Sequence, residues 1–99
     1  DLLDLYEACL NRPQASSGEI FNIGGGLSNS LSLRRLLAWI QGSLRLNPRL
    51  KKAAFRPGDQ KIYVSDISKA SSVLGWRPRT QVARGLPLLA QWLRPRFAR

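Results

Sequence analysis

The chain has 99 residues, 43% of them hydrophobic and 22% charged, which is the composition of one small folded domain and not of a disordered segment. No apolar run approaches the roughly 20 residues that a membrane-spanning helix requires. The lone Cys9 excludes an internal disulfide, and the absence of histidine excludes a zinc site. The net charge of +10 suggests an anionic partner, namely a diphosphate ligand, nucleic acid or acidic lipid. The alternative is a surface that is simply rich in arginine.

The apolar residues of the chain follow two different periods. Spacings of three and four residues predict helices, and alternation among strand-forming residues predicts short strands. The class is therefore α/β, mostly helical, with about four helices and two or three short strands. In chain order we predict a helix over residues 1–11, a loop over 14–18, a strand over 19–23, a helix over 32–44, strands over 50–55 and 61–64, and helices over 66–74 and 82–93.

Four residues mark where these helices begin, end or bend. Ser32 and Asp66 are good N-caps, because a short oxygen-bearing side chain can accept from the first free backbone N–H groups. Gly75 stands where a helix commonly ends in a left-handed residue. Pro87 removes one backbone hydrogen bond from the last helix, so we expect a kink or a later start there.

A run of three glycines, Gly24 to Gly26, lies between a predicted strand and a predicted helix. A dinucleotide-binding fingerprint needs glycine at its first, third and sixth positions, followed by an acidic residue about twenty positions later. Here the sixth position is Asn29, and the region some twenty residues on is basic. We therefore interpret the glycines as a flexible exit from the strand and predict no cofactor-binding residue in the chain.

The segment from Arg56 to Tyr63 is the strongest candidate site. Its Pro-Gly turn keeps the guanidinium of Arg56 close to the carboxylate of Asp59. A guanidinium suits a diphosphate because it offers paired donors in one plane and keeps its charge. A carboxylate can accept from a ribose diol, and the ring of Tyr63 can border a sugar or base. The same residues also fit an ion pair that locks a surface turn, with Tyr63 in the core.

This segment, with Asp66-Ile-Ser-Lys69-Ala70 and Leu74-Gly75-Trp76-Arg77-Pro78, resembles the extended short-chain dehydrogenase/reductases that epimerise or dehydrate nucleotide sugars. The likeness extends over nearly the whole chain through Phe21-Asn22-Ile23-Gly24-Gly25-Gly26, Asn29-Ser30 and Gly85-Leu86 with Trp92. Together with Asn22 to Gly26 and Asn29-Ser30, the variant Asp59-Gln60-Lys61 most resembles the CDP-paratose (tyvelose) 2-epimerase branch. The resemblance implies that Arg56 binds the diphosphate of a CDP- or UDP-sugar, Asp59 meets the ribose and Tyr63 borders the sugar.

The resemblance also implies what the chain lacks. Residues 1–99 correspond to a single C-terminal substrate-binding domain, and the N-terminal Rossmann domain that holds NAD is absent. No Tyr-x-x-x-Lys pair occurs, since Leu10 follows Tyr6 by four residues and Ile67 follows Tyr63 by four. We therefore expect no catalytic, cofactor or metal residue here. The parent is expected to be a cytoplasmic NAD-dependent isomerase or lyase, and this fragment alone is expected to be inactive.

Two other classes of function remain open from the residues alone. A small basic nucleic-acid-binding domain fits the charge, but no nucleic-acid motif is present, and Trp39, Trp76 and Trp92 fit core positions better than stacking positions. A protein-interaction module, including a homodimer, follows if Leu2, Leu3 and Tyr6 are uncovered. Nucleic acid is thus disfavoured as a partner, and no membrane partner is expected.

Overall fold

The computed structural model describes residues 1–97, and all of their regular structure is helical. There are five α-helices and one short 3-10 helix in this part of the chain. Their bounds are α1 Leu2–Asn11, α2 Pro13–Ser16, α3 Leu33–Leu44, α4 Ser68–Leu74, α5 Val82–Phe97 and the 3-10 helix Leu27–Asn29.

The predicted α/β class is wrong, because residues 1–97 contain no β-strand. The predicted strands at 19–23, 50–55 and 61–64 are irregular. Alternating side chains can supply an apolar face, but a strand also needs a neighbouring strand to pair its backbone groups. At 19–23 a side chain does part of this work, because Nζ of Lys69 donates to the carbonyl of Ile20 at 3.0 Å.

The four predicted helices are present, with differences at their ends. α1 and α3 begin one residue later than predicted, and α5 continues to Phe97 with both Pro87 and Pro95 inside it. The predicted loop at 14–18 is instead largely the short helix α2, which has Pro13 at its first position. Proline suits that position because the N–H it lacks would have no partner within the helix.

The helix caps follow the side-chain chemistry of the sequence. Oγ of Ser32 accepts from the backbone N–H of Arg35 at 3.2 Å, which confirms the N-cap of α3. Gly75 has φ +68° at the end of α4, and its N–H donates to the carbonyl of Ser71 at 3.0 Å. The next N–H, that of Trp76, reaches the carbonyl of Ala70 at 3.3 Å. The first of these bonds is the one that defines the left-handed C-cap motif common at helix ends.

The chain divides into two compact units, of which the first comprises residues 1–30 and 64–97. Its buried core consists of four side chains, contributed by α1, α4 and the segment after α4: Leu5, Ala70, Leu74 and Trp76. The indole Nε1 of Trp76 donates to the carbonyl of Asp1 at 2.8 Å, so its polar atom is satisfied on entering the core. The prediction that Trp76 occupies a core position is confirmed.

The start of α5 is held to the 3-10 helix by the side-chain amide of Asn29. Its Oδ1 accepts from the backbone N–H of Val82 at 2.7 Å, and its Nδ2 donates to the carbonyl of Thr80 at 3.2 Å. Asp1 also contacts Thr80, because the backbone N–H of Thr80 donates to Oδ2 of Asp1 at 2.9 Å. These contacts fix the segment after the core tryptophan without any sheet.

The second unit, residues 31–63, consists of α3 and the irregular segment that follows it. α3 ends at Arg45, which adopts a left-handed conformation with φ +54°. A non-glycine residue in this region is uncommon. Residues 45–63 then run without regular structure and carry the predicted site.

Much of the apolar surface of the first unit is exposed. Leu3 is 77% exposed, and Leu2 and Tyr6 of the same helix are also open to solvent. Trp92 is 53% exposed, so the prediction that it belongs to the core is wrong. Across residues 1–97, none of the helices has an apolar stretch long enough to traverse a lipid bilayer.

Candidate functional site

The Arg56–Asp59 turn is closed in both directions by its first and last residues. The backbone N–H of Asp59 donates to the carbonyl of Arg56 at 3.1 Å. In return, Oδ2 of Asp59 accepts from the backbone N–H of Arg56 at 2.8 Å. Gly58 between them has φ +83°, a conformation that side-chain-bearing residues rarely adopt. The predicted turn is therefore present, with glycine at the position that requires it.

The side chains of Arg56 and Asp59 also form an ion pair. Nη2 of Arg56 lies 3.2 Å from Oδ1 of Asp59, and Nε lies 3.4 Å from Oδ2. The side chain of Arg56 is 85% exposed, whereas that of Asp59 is 31% exposed. The carboxylate is thus fixed by the turn, and the guanidinium extends from it into solvent. An exposed ion pair of this kind contributes only about 0–1 kcal/mol, so a stronger anion can displace it.

Tyr63 lies four residues after the turn and is 68% exposed. The alternative that placed Tyr63 in the core is therefore wrong. The structure brings Arg56 and Asp59 into contact, which is compatible both with a diphosphate site and with a locked surface turn. The assignment of these three residues to a nucleotide sugar remains a prediction at this point.

The aromatic ring of Phe55 adds a feature next to the turn that sequence reasoning did not single out. Nζ of Lys61 lies 5.4 Å from the centre of this ring, within the range of a cation–π contact. This contact spans the turn, because the two residues flank Arg56 and Asp59 in sequence. The one feature of the sequence that could have indicated this cation–π contact is the placement of an aromatic residue and a lysine on either side of a tight turn.

A second feature, confined to the first unit, is an open groove of about 1070 Å³ beside α4. Serine hydroxyls and the guanidinium of Arg77 line it, together with Gly25 and Gly26. Nε of Arg77 donates to Oγ of Ser71 at 3.0 Å. No prediction from the sequence anticipated this groove, because its lining comes from two segments that are about forty residues apart.

The N-cap of α4 is Ile67 and not the predicted Asp66, whose carboxylate lies one residue earlier. Oδ1 of Asp66 accepts from the backbone N–H of Ser68 at 2.9 Å, although the helix itself begins two residues after Asp66. Hydrogen bonds from the side chain and the backbone of Ser68 lower the pKa of Asp66 below its ordinary value. The contact with Ser68 therefore favours the ionised carboxylate and gives Asp66 a structural role at the start of α4.

Lys69, on α4, ties the irregular segment 19–21 to the helix. Nζ of Lys69 lies 2.7 Å from Oε2 of Glu19 and 5.1 Å from the centre of the Phe21 ring. The hydrogen bond and the positive charge of Lys69 lower the pKa of Glu19. The sequence pattern did not indicate these partners, because they are about fifty residues away from Lys69 in the chain.

At two positions of the run Gly24 to Gly26, the local structure itself requires glycine. A Cβ at Gly24 would overlap the side chain of Ser65, and Gly26 has φ +71°. The close approach of Ser65 and a left-handed backbone therefore explain two of these glycines, and we derive no chemistry from the run. Residues 1–97 also contain no group of three histidine, cysteine or carboxylate side chains that could hold a metal ion.

Three curated relatives match the chain over most of its length. The CDP-paratose 2-epimerase of Salmonella typhi is 30% identical over 92 residues, which are 93% of the chain and 27% of that protein. The dTDP-L-rhamnose 4-epimerase of Burkholderia thailandensis is 35% identical over 94% of the chain and 25% of that protein. The dTDP-glucose 4,6-dehydratase of Streptomyces antibioticus is 33% identical over 86% of the chain and 25% of that protein. No family model matches the chain, and no solved structure matches it significantly.

The chain is a homologue of the nucleotide-sugar epimerases and dehydratases. This confirms the resemblance to extended short-chain dehydrogenase/reductases, and a CDP-paratose 2-epimerase is among the relatives. The chain spans about a quarter of the length of these homologues. Any function of the homologues that needs their remaining length lies outside the chain itself.

Proposed function

We propose that the chain is the nucleotide-sugar-binding portion of an NAD-dependent epimerase or dehydratase. The observation that carries the proposal is the homology to nucleotide-sugar enzymes over most of the chain, combined with an exposed guanidinium on a turn of fixed shape. CDP- or UDP-sugars are the proposed substrates. The parent is then an isomerase or a lyase, and the chain supplies binding energy rather than chemistry.

Arg56 is the proposed ligand of the diphosphate. Its side chain is 85% exposed and can present planar paired donors to phosphate oxygens. Asp59 is the proposed acceptor from a ribose hydroxyl, while its contact with the Arg56 backbone holds the loop in shape. Tyr63, exposed after the turn, is the proposed neighbour of the sugar. Binding the nucleotide away from the reacting carbon contributes to catalysis through positioning.

A Rossmann domain in the same enzyme is the proposed partner that supplies NAD and the proton-transfer residues. Its presence would also account for the exposed apolar side chains of α1, because large apolar patches on a protein surface often mark interfaces. A homodimer and a cytoplasmic location complete the proposal.

The proposal is tested in the full-length protein with CDP-, UDP- and dTDP-sugars as substrates. Replacing Arg56 by Ala removes a charged hydrogen-bonding group, so we expect KM to rise by about tenfold or more. The matched control is Arg34→Ala, which removes an exposed arginine from the first turn of α3 in the same unit. An Arg56→Ala enzyme with unchanged KM and kcat would contradict the assignment.

A further inference from the structure

The positive charge of the chain is concentrated in the unit that carries the proposed site. Residues 31–63 contain eight of the sixteen basic residues and one of the six acidic residues, which gives this third of the chain a formal charge of +7 out of +10. The single acidic residue, Asp59, is already paired with Arg56. In the part of the chain that the structure describes, no other ion pair involves a residue of this unit. The field of the unit is therefore almost uncompensated.

Three of these cations lie just before the turn, and we refer to them as the basic segment: Arg49, Lys51 and Lys52. All three are exposed. A fully extended chain spans at most about 3.6 Å per residue. The backbone of Lys52 is therefore within about 14 Å of that of Arg56, and that of Arg49 within about 25 Å.

These distances determine the range of ionic strength over which the basic segment acts on an approaching anion. The Debye length is about 30 Å at an ionic strength of about 0.01 M and about 3 Å at about 1 M. At low salt the three charges therefore act together with Arg56 on a diphosphate, and at high salt they do not. Clusters of one sign of charge raise association rates by roughly 10- to 1,000-fold at low ionic strength.

We propose that the basic segment steers the anionic nucleotide sugar to Arg56, so that it sets kcat/KM without contributing to the chemical step. This inference rests on the proposed function. It assigns a role to residues that have no carboxylate partner in the unit. It also separates arrival of the ligand, which depends on Arg49, Lys51 and Lys52, from its capture by Arg56.

The test compares two triple variants of the full-length protein that have the same net charge. Arg49→Gln/Lys51→Gln/Lys52→Gln removes the basic segment. Arg79→Gln/Arg84→Gln/Arg94→Gln removes three exposed cations from the other unit. We expect the first variant to lose about tenfold in kcat/KM at an ionic strength of about 0.01 M, with kcat unchanged. Its dependence on salt should be flatter than that of the wild type, and the control variant should follow the wild type.

The result separates the steering role from the proposed function. Steering is overturned if Arg56→Ala raises KM but the basic-segment variant keeps the kcat/KM and salt dependence of the wild type. It is also overturned if that variant loses binding of a single-stranded oligonucleotide while its kcat/KM is unchanged, since the segment would then serve nucleic acid. A full-length protein that neither binds nor converts any nucleotide sugar overturns both proposals.

Discussion

The carboxylate of Asp59 contacts both the backbone and the side chain of Arg56, and the two contacts have different effects. The backbone N–H of Arg56 donates to Oδ2 of Asp59 at 2.8 Å, which fixes the turn. Nη2 of Arg56 meets Oδ1 at 3.2 Å, which orients an exposed guanidinium. The same carboxylate thus shapes the loop and positions the group proposed to bind a diphosphate.

We predict that Asp59→Ala loosens the turn, whereas Asp59→Asn largely keeps it. An asparagine oxygen can still accept from the Arg56 N–H, but alanine cannot. Because the ion pair is exposed, either change should alter the free energy of unfolding by less than about 1 kcal/mol. Hydrogen exchange of the Arg56 amide measures the effect, and we expect faster exchange in the alanine variant. Equal exchange in the two variants would contradict the role assigned to the carboxylate.

Removing side-chain volume from the core should lower the free energy of unfolding far more than removing it from the surface. Leu74 is 4% exposed and Leu3 is 77% exposed, so the two Leu→Ala changes form a matched pair. We expect Leu74→Ala to destabilise the chain by about 2–5 kcal/mol and Leu3→Ala to have an effect within about 0.5 kcal/mol. Urea unfolding of both variants provides the comparison. A small effect at Leu74 would show that the four-residue core does not hold the helices together.

Two Gly→Ala changes in the first unit should have opposite signs. Gly75 has φ +68°, so a Cβ there is strained even though no atom crowds it, and we expect a loss of about 1 kcal/mol. Gly85 lies within α5, where an added Cβ would meet Thr80 Cγ2 at an ordinary 3.7 Å. Alanine there should stabilise the helix by roughly 0.5–1 kcal/mol. Thermal unfolding distinguishes the two, and destabilisation at both positions would argue against the helical assignment around Gly85.

The Glu19–Lys69 ion pair should make a contribution to stability that depends on pH. Lys69 lowers the pKa of Glu19 from its ordinary value of 4.5 in the folded state. Folding therefore favours the ionised carboxylate, and the contribution is complete above about pH 4.5. It is lost as the pH falls below that value, through the lowered pKa. Urea unfolding of the wild type and Glu19→Gln should differ most near neutral pH and converge in acid.

Lys69→Gln is the control for this pH dependence. If the pair is the cause, the Lys69→Gln/Glu19→Gln double variant should behave like either single variant, because each change alone already breaks the pair. Additive losses would instead indicate that the carbonyl of Ile20 or the Phe21 ring is the important partner of Lys69.

Local chemistry was enough to predict the parts of this protein that depend on neighbours in sequence. The apolar spacing of α1 and α3, the Ser32 cap and the left-handed Gly75 were all predicted and all observed. The Arg56–Asp59 turn belongs to the same group, because these two residues and the Pro-Gly pair between them determine it. The family relationship also followed from motifs of this local kind.

Contacts between distant segments were decided only by the tertiary structure. The predicted strands failed because a strand depends on a second strand, which residues 1–97 do not provide. Lys69 instead holds segment 19–21, and Asn29 holds the start of α5 across about fifty residues. No periodicity in the sequence encodes such pairings, because they depend on how the helices pack. For the same reason the exposure of Tyr63 and Trp92 could not be predicted from their apolar spacing.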